Sequence, residues 1–385
     1  MTPAFKSRIE GALSQRAQQG LSRRTQVIFS GNQTELECDG KRYINFSAND
    51  YLGLANDQSL VRAWQQGLSL YGCGSGASPM VTGFSPAHSN LEAALCDWLG
   101  FERAILFGSG FAANQAMLFS LLEKGDFLYQ DKLNHASLQE AGHLSSATMK
   151  RWKHNDTRHL DTLLDAKGCS LVVTEGVFSM DGDLAPLANI AQVAKQKNAW
   201  LAIDDAHGIG VLGEEGRGSC DLAAIKPELL VVTFGKAFGL SGAAILCDQS
   251  TGDYLAQFAR HHVYSTAIPP AQAFALTHAI EMIRTQRWRR EKLDELQQTY
   301  ALLLKNEAGY VDTSTPIKPW IIGDAQRTMA VSEHCRQQGL WLTAIRPPTV
   351  LQGTSRLRIT LTANHNTEQL KVLARSLLQA MGESK

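Results

Sequence analysis

From about residue 103 onward, short apolar runs alternate with longer segments whose apolar positions recur at helical spacing. RAILFGSG (103–110), DFLYQDK (126–132), TMKRWKH (148–154), SLVVTEGVF (170–178), AWLAIDDAH (199–207), ELLVVTFGK (228–236) and GAAILCD (242–248) read as strands. Between them, FAANQAMLFSLL, HASLQEAGHLS and the stretches 156–166 and 187–197 read as helices. Near-continuous Val, Ile and Leu predicts strands buried on both faces, and the βα alternation predicts a mainly parallel sheet with helices on either side. The fold class is therefore α/β.

The charged segment Gln286 to Lys292 reads as the crossing into a smaller α/β unit. There the pattern predicts a helix over 290–306, a strand near 318–322, a helix over 325–338, strands at 340–345 and 355–361, and a final helix. A chain of 385 residues exceeds one ordinary core, so the expected division is an arm over 1–45, a large domain over 46–285 and a small domain over 286–385. Phe5, Ile9 and Leu13 share one helical face beside Lys6, Arg8 and Arg16, which predicts a packed amphipathic helix and not a secretory signal.

Charge changes the picture by exclusion. Lys plus Arg and Asp plus Glu are balanced at 37 each, so no sequence-wide field draws the chain to nucleic acid or an anionic membrane. No apolar run approaches bilayer length. The seven cysteines are scattered and never form C-x-x-C, which argues against a disulfide framework or structural zinc and for a reducing, cytoplasmic setting.

Ligands of open α/β sheets collect outside the carboxyl ends of the strands. Four such ends carry GSGFAAN (108–114), TEGVFSMDGD (174–183), DDAHGIG (204–210) and TFGKAFG (233–239). Lys236 follows a buried strand between Gly235 and Gly239, a place where lysine needs a partner. Asp204 ends the preceding core strand and suits the pyridine nitrogen of pyridoxal 5'-phosphate (PLP), whose protonated ring is the stronger electron sink. Asp205 points the other way by strand alternation. GSGFAAN is a strand-to-helix turn of the kind that offers backbone N–H groups to a phosphate, yet it lacks the third glycine of the dinucleotide fingerprint. His135, Ser179, His207 and Thr233 lie beside the same ends. Each has an ordinary alternative as a cap or turn residue; their joint placement carries the argument.

With FSANDYLGL (46–54), GSGAS (74–78), SGFAANQA (109–116), NHAS (134–137), TEGVFSMDGDLAPL (174–187), DDAHGIGVLGEEGRG (204–218), TFGKAFG (233–239) and YSTAIPP (264–270) in order, the chain resembles the α-oxoamine synthases, fold-type I PLP enzymes. The resemblance implies decarboxylative condensation of an amino acid with an acyl thioester, and a homodimer with its active site at the interface. The stretch AIRPPTV (344–350) resembles the members that join L-alanine to a pimeloyl thioester. By the same resemblance Lys236 is the cofactor-bearing lysine, His135 stacks on the ring, and Asp204 holds its nitrogen. His207 and Ser179 lie near the phenolic oxygen. Thr233 and the backbone of Gly110 and Phe111 hold the phosphate, with Ser265 and Thr266 of a second subunit. Arg346 clamps the amino-acid carboxylate and Thr349 lines the substrate site. The family's early substrate arginine aligns with Ser22, which is followed by Arg23 and Arg24; Arg23 is the candidate. Pro79 departs from the polar character usual after GSG. Rival readings are a sibling synthase such as glycine C-acetyltransferase, a nucleotide-binding oxidoreductase, and a non-catalytic scaffold. Intact Lys236 and Asp204 argue against the last.

Overall fold

The computed structural model describes residues 4–19, 21–164 and 168–383. Seven strands form the central sheet in the spatial order 103–107, 243–247, 229–233, 200–204, 170–175, 127–131 and 148–152. Ala243–Cys247 runs antiparallel to both neighbours, and every other pairing is parallel. Strand Leu229–Thr233 is buried at every position. Its Leu230 and Val232 enter one core, shared with helices Gln58–Tyr71, Pro86–Leu99, Leu187–Gln196 and Pro270–Thr285. Leu229 and Val231 enter a second, shared with helices Gly110–Leu121, Ala136–Leu144 and Gln249–Phe258. Period-two alternation thus feeds a core on each face, so both sets of side chains had to be apolar.

The expected C-terminal helices appear at Trp288–Leu304, Ala325–Gln337 and Thr367–Glu383. The single strand expected over 340–345 is two: Leu340–Trp341 pairs with Lys41–Asn45, and Thr343–Ile345 pairs with Ser355–Thr360. The chain changes sheets at Leu342, and both sheets bury apolar residues, so the hydrophobic pattern shows no break. The hairpin Glu35–Cys38 and Lys41–Asn45 therefore belongs to a sheet shared with the C-terminal unit. The first core cluster runs without interruption into that unit through Leu293, Trp320, Leu357 and Leu373.

Helix Lys6–Gln18 departs from expectation, since none of its residues is buried. Phe5, Ile9 and Leu13 stay more than half exposed, because none of the described residues covers their face. The helix expected over 156–166 spans Thr157–Leu163, and residues 165 and 166 lie outside the described residues.

Candidate active site

Lys236 lies in the turn after strand Leu229–Thr233, and its Nζ is 3.4 Å from Thr233 Oγ1. The turn closes through Gly239 at φ +69°, where a side chain would strike the Ala55 amide. FSANDYLGL thereby packs over TFGKAFG, and only glycine permits that approach. Burial lowers the Lys236 pKa from its ordinary value; the carboxylates of Asp204 and Glu175 oppose this, and Arg358 reinforces it.

Asp204 and Glu175 are register partners on adjacent parallel strands, and both are buried. Asp204 Oδ1 accepts from the Ala206 amide at 3.0 Å, and Oδ2 accepts from Asn114 Nδ2 at 2.7 Å. Burial drives the Glu175 pKa well above the carboxylate range, and Asp204 drives it further. The backbone N–H of His135 and the charge of Lys236 pull the other way.

Hydrogen-bond directions fix the His135 tautomer. A carboxylate only accepts, so the Asn114 atom beside Asp204 is its amide nitrogen, which also donates to Ser137 Oγ at 3.0 Å. Ser137 then directs its proton to His135 Nδ1 at 2.8 Å, and the Ser137 amide donates to the same nitrogen at 3.3 Å. Neutral His135 therefore carries its proton on Nε2. Much of His135 is solvent-accessible, yet desolvation of its enclosed edge, with Lys236 nearby, holds the pKa below the ordinary value against the pull of Asp204. Arg358 Nη2 donates to the Tyr51 hydroxyl at 3.4 Å, and that hydroxyl lies 2.7 Å from His207 Nδ1. The same hydroxyl donates to Asn49 Oδ1 at 3.4 Å, so it meets His207 Nδ1 as donor or acceptor according to the tautomer of that ring. Burial, then Lys236, Arg358 and His135, keep His207 neutral.

Helix Gly110–Leu121 begins against this cluster. Ser109 Oγ accepts from the Ala112 amide at 3.1 Å, and its carbonyl accepts from Ala113. That leaves Gly110 and Phe111 as the remaining unsatisfied donors of the first turn. A Cβ at Gly110 would lie 2.6 Å from Thr233 Cγ2, so the glycine lets Thr233 and the helix end converge. Phe111 meets the edge of His135 at a centroid distance of 6.5 Å.

Not every candidate joins this group. Ser179 reaches it through its carbonyl, which accepts from Arg358 Nε at 2.6 Å. Ser265 and Thr266 are exposed in a loop whose Ala267 is held to Ala77 and Ser75. Arg23, Arg346 and Thr349 line a separate cleft of about 350 Å³ with Leu21 and Pro348, and exposed Ser22 and Arg24 do not line it. The arm and the C-terminal unit thus build one wall together. Asn49, Tyr51, Asn114, Ser137, Glu175 and Arg358 were not singled out from sequence. All but Arg358 stood inside quoted motifs, but only the fold shows that they connect the named residues to one another.

A half-buried amine at a strand tip, a carboxylate fixed by two donors, two histidines held below their ordinary pKa and a helix end opened by glycine fit PLP. The buried Oε1 of Glu175 and Oδ1 of Asn114 lack partners among the described residues, as expected where a polar ligand belongs.

The chain is 72% identical over 380 residues to 8-amino-7-oxononanoate synthase of Vibrio parahaemolyticus, covering 99% of both chains. It is 71% identical to the synthase of the same name from Vibrio vulnificus, covering 100% of both. A solved serine palmitoyltransferase of S. paucimobilis with bound PLP-myriocin superposes with a TM-score of 0.91 at 25% identity, covering 99% of this chain and 98% of that one. The family model described as aminotransferase class I and II matches residues 41–377. On that match and those full-length likenesses, the chain belongs to the aminotransferase class I and II family.

Proposed function

We propose that the chain condenses L-alanine with a pimeloyl thioester, releasing carbon dioxide and free thiol and yielding 8-amino-7-oxononanoate for biotin biosynthesis, with PLP as cofactor. The observation that carries this is half-buried Lys236 one strand away from Asp204, in a chain 72% identical to a synthase of that name over 99% of its length.

When bound, PLP supplies an electron sink for charge developing at the Cα of the amino acid. Lys236 anchors the cofactor's aldehyde, and its lowered pKa suits it to take the Cα proton of alanine. Asp204, oriented by Asn114 and Ala206, keeps the ring nitrogen protonated. His207 offers a ring nitrogen, and Ser179 its hydroxyl, to the phenolic oxygen. The amides of Gly110 and Phe111 with Thr233 hold the phosphate at the helix end. His135 stacks on the ring and donates from Nε2 to the thioester carbonyl as the carbon–carbon bond forms. Arg346 pairs with the alanine carboxylate, and Thr349 and Arg23 line the acyl side.

The working unit is a homodimer in which Ser265 and Thr266 reach the partner's phosphate site; their exposure in this chain supports that reading. The setting is cytoplasmic, a reading supported by seven free cysteines. Among the described residues, no helix is long and apolar enough to cross a membrane.

Purified holoenzyme given L-alanine and pimeloyl-CoA is expected to release carbon dioxide and thiol in equal amounts. The structural likeness to serine palmitoyltransferase makes serine with palmitoyl-CoA the informative control. Turnover with that pair, or with glycine and acetyl-CoA, and none with alanine and pimeloyl-CoA would move the assignment to a sibling reaction.

A further inference from the structure

His154 stands outside the cluster around Lys236, and both of its ring nitrogens meet carboxylates. Nδ1 is 3.0 Å from Asp131 Oδ1, and Nε2 is 2.8 Å from Asp183 Oδ2. Carboxylates only accept, so both nitrogens carry protons and the ring is an imidazolium. Asp131 is fully buried at the end of strand Phe127–Asp131 and also accepts from the amides of Leu133 and Asn155. Asp183 ends a tight turn in which the Phe178 amide donates to the Asp183 carbonyl and the Gly182 amide to the Phe178 carbonyl. Asn155 Nδ2 donates to the same Asp183 oxygen at 2.8 Å, and Phe178 sets its ring edge-on to His154 at 4.4 Å.

That turn carries Ser179, and the C-terminal unit holds it from the other side. Arg358 donates to the Ser179 carbonyl, Arg356 pairs with Asp181, and Thr315 Oγ1 donates to the Gly182 carbonyl at 2.7 Å. The turn is therefore held between His154, in the turn after sheet strand Thr148–Trp152, and two arginines on strand Ser355–Thr360.

We propose that His154 is a positioning residue: its imidazolium, bridging Asp131 and Asp183, holds the 178–183 turn so that Ser179 stays at the cofactor. The inference rests on the role given to Ser179 above. Charged groups bearing on the ring are Asp131 from the sheet and Asp183 from the turn. Asp181 is already paired with Arg356. Desolvation pulls the His154 pKa down, but the two carboxylate hydrogen bonds and charges outweigh it and raise the pKa from 6.5 to about 9. A raised folded-state value means that the clasp stabilises fully below about pH 6.5 and loses its effect as pH rises through about 9.

The test compares holoenzyme with Asp183→Asn, an isosteric change that removes one carboxylate, and with His154→Gln. Three signals are followed from pH 6 to 10: the His154 ring proton resonance, amide exchange of the peptide spanning 176–184 corrected for intrinsic base catalysis, and the visible band of the bound cofactor. Asp183→Asn is expected to lower the His154 midpoint by about one unit or more, the size of one close charge partner. The alkaline change in the visible band should move down with it. His154→Gln should speed exchange of that peptide about ten- to a hundred-fold at pH 7, as expected for a lost charge-assisted bond, and abolish the step near pH 9. A merely structural role would lower thermal stability and shift the His154 midpoint without moving that of the visible band. An unchanged visible-band midpoint in Asp183→Asn, or unchanged exchange in His154→Gln, would overturn the proposal. Borohydride labelling of Lys236 separates the two readings: without it the PLP assignment fails, while ring titration and exchange still decide the clasp.

Discussion

The cluster around Lys236 and the cleft at Arg346, proposed above as the cofactor side and the substrate side, are built differently. Around Lys236, polar groups, all buried except His135, are tied to one another: Asp204 to Asn114, Asn114 to Ser137, Ser137 to His135, Tyr51 to His207. Around Arg346, the wall is assembled from the N-terminal arm and the C-terminal unit, and Arg23 and Thr349 are exposed. A preorganised network orients its members before any ligand arrives, so losing one member strands the rest in low dielectric. An open wall binds through groups that water already satisfies, so each loss is smaller. Substitutions on the cofactor side should therefore fall mainly on kcat, and those on the substrate side mainly on KM.

The largest expected effect is Lys236→Ala, which removes both the anchor and the proton acceptor. Carbon dioxide release should fall by about four orders of magnitude or more, the upper range for loss of a positioned base. The protein should show no visible cofactor band; a normal band in that variant would remove Lys236 from its role. Next is Asp204→Asn. Breaking a buried ion pair costs about 3–5 kcal/mol. If half or more of that cost falls on the transition state, kcat drops about ten- to a thousand-fold. Unchanged kcat would show that the carboxylate does not serve the ring nitrogen.

Asn114→Leu probes the network itself. It leaves Asp204 Oδ2 without its 2.7 Å donor and frees Ser137 to turn away from His135. An unsatisfied buried acceptor costs about 1–3 kcal/mol, which predicts a fall in kcat of about five- to a hundred-fold with alanine KM little changed. A KM effect alone would mean that the two sides of the cleft are not distinct in the way argued here.

Legibility in the sequence follows the same division. The alternation of buried strands and helices exposed the sheet, because seven strands with a core on each face demand apolar residues at both parities. Lys236, Asp204, His207 and Gly110 stood out because each sits where a buried strand stops, a position a linear pattern marks. Asn114 and Ser137 could not be read that way. Their meaning lies in a hydrogen-bond path joining helices Gly110–Leu121 and Ala136–Leu144 to strand Trp200–Asp204. Arg358 is 122 residues from Lys236, on a strand whose apolar neighbours made it look like ordinary core edge. The break at Leu342 was hidden because both sheets bury the residues beside it. The exposure of Phe5, Ile9 and Leu13 was hidden because amphipathicity tells that a face needs cover, not which chain supplies it.

The smallest expected effects lie on the open wall, and the difference between its two arginines sharpens the comparison. Arg346 is half-buried beside the Thr349 turn, whereas Arg23 is exposed on the arm. A bidentate guanidinium–carboxylate contact in a partly shielded cleft is worth about 1.5–3 kcal/mol. Arg346→Ala should therefore raise the alanine KM about ten- to a hundred-fold, and Arg346→Lys should recover only part of it, because lysine loses the fork. An exposed charge is worth about 0–1 kcal/mol, so Arg23→Ala should raise the thioester KM only a few-fold and leave the alanine KM in place. Raising ionic strength should shrink the Arg23 effect and largely spare that of Arg346. Equal salt sensitivity at both positions would mean that one solvent-exposed surface, not a graded cleft, faces the substrates.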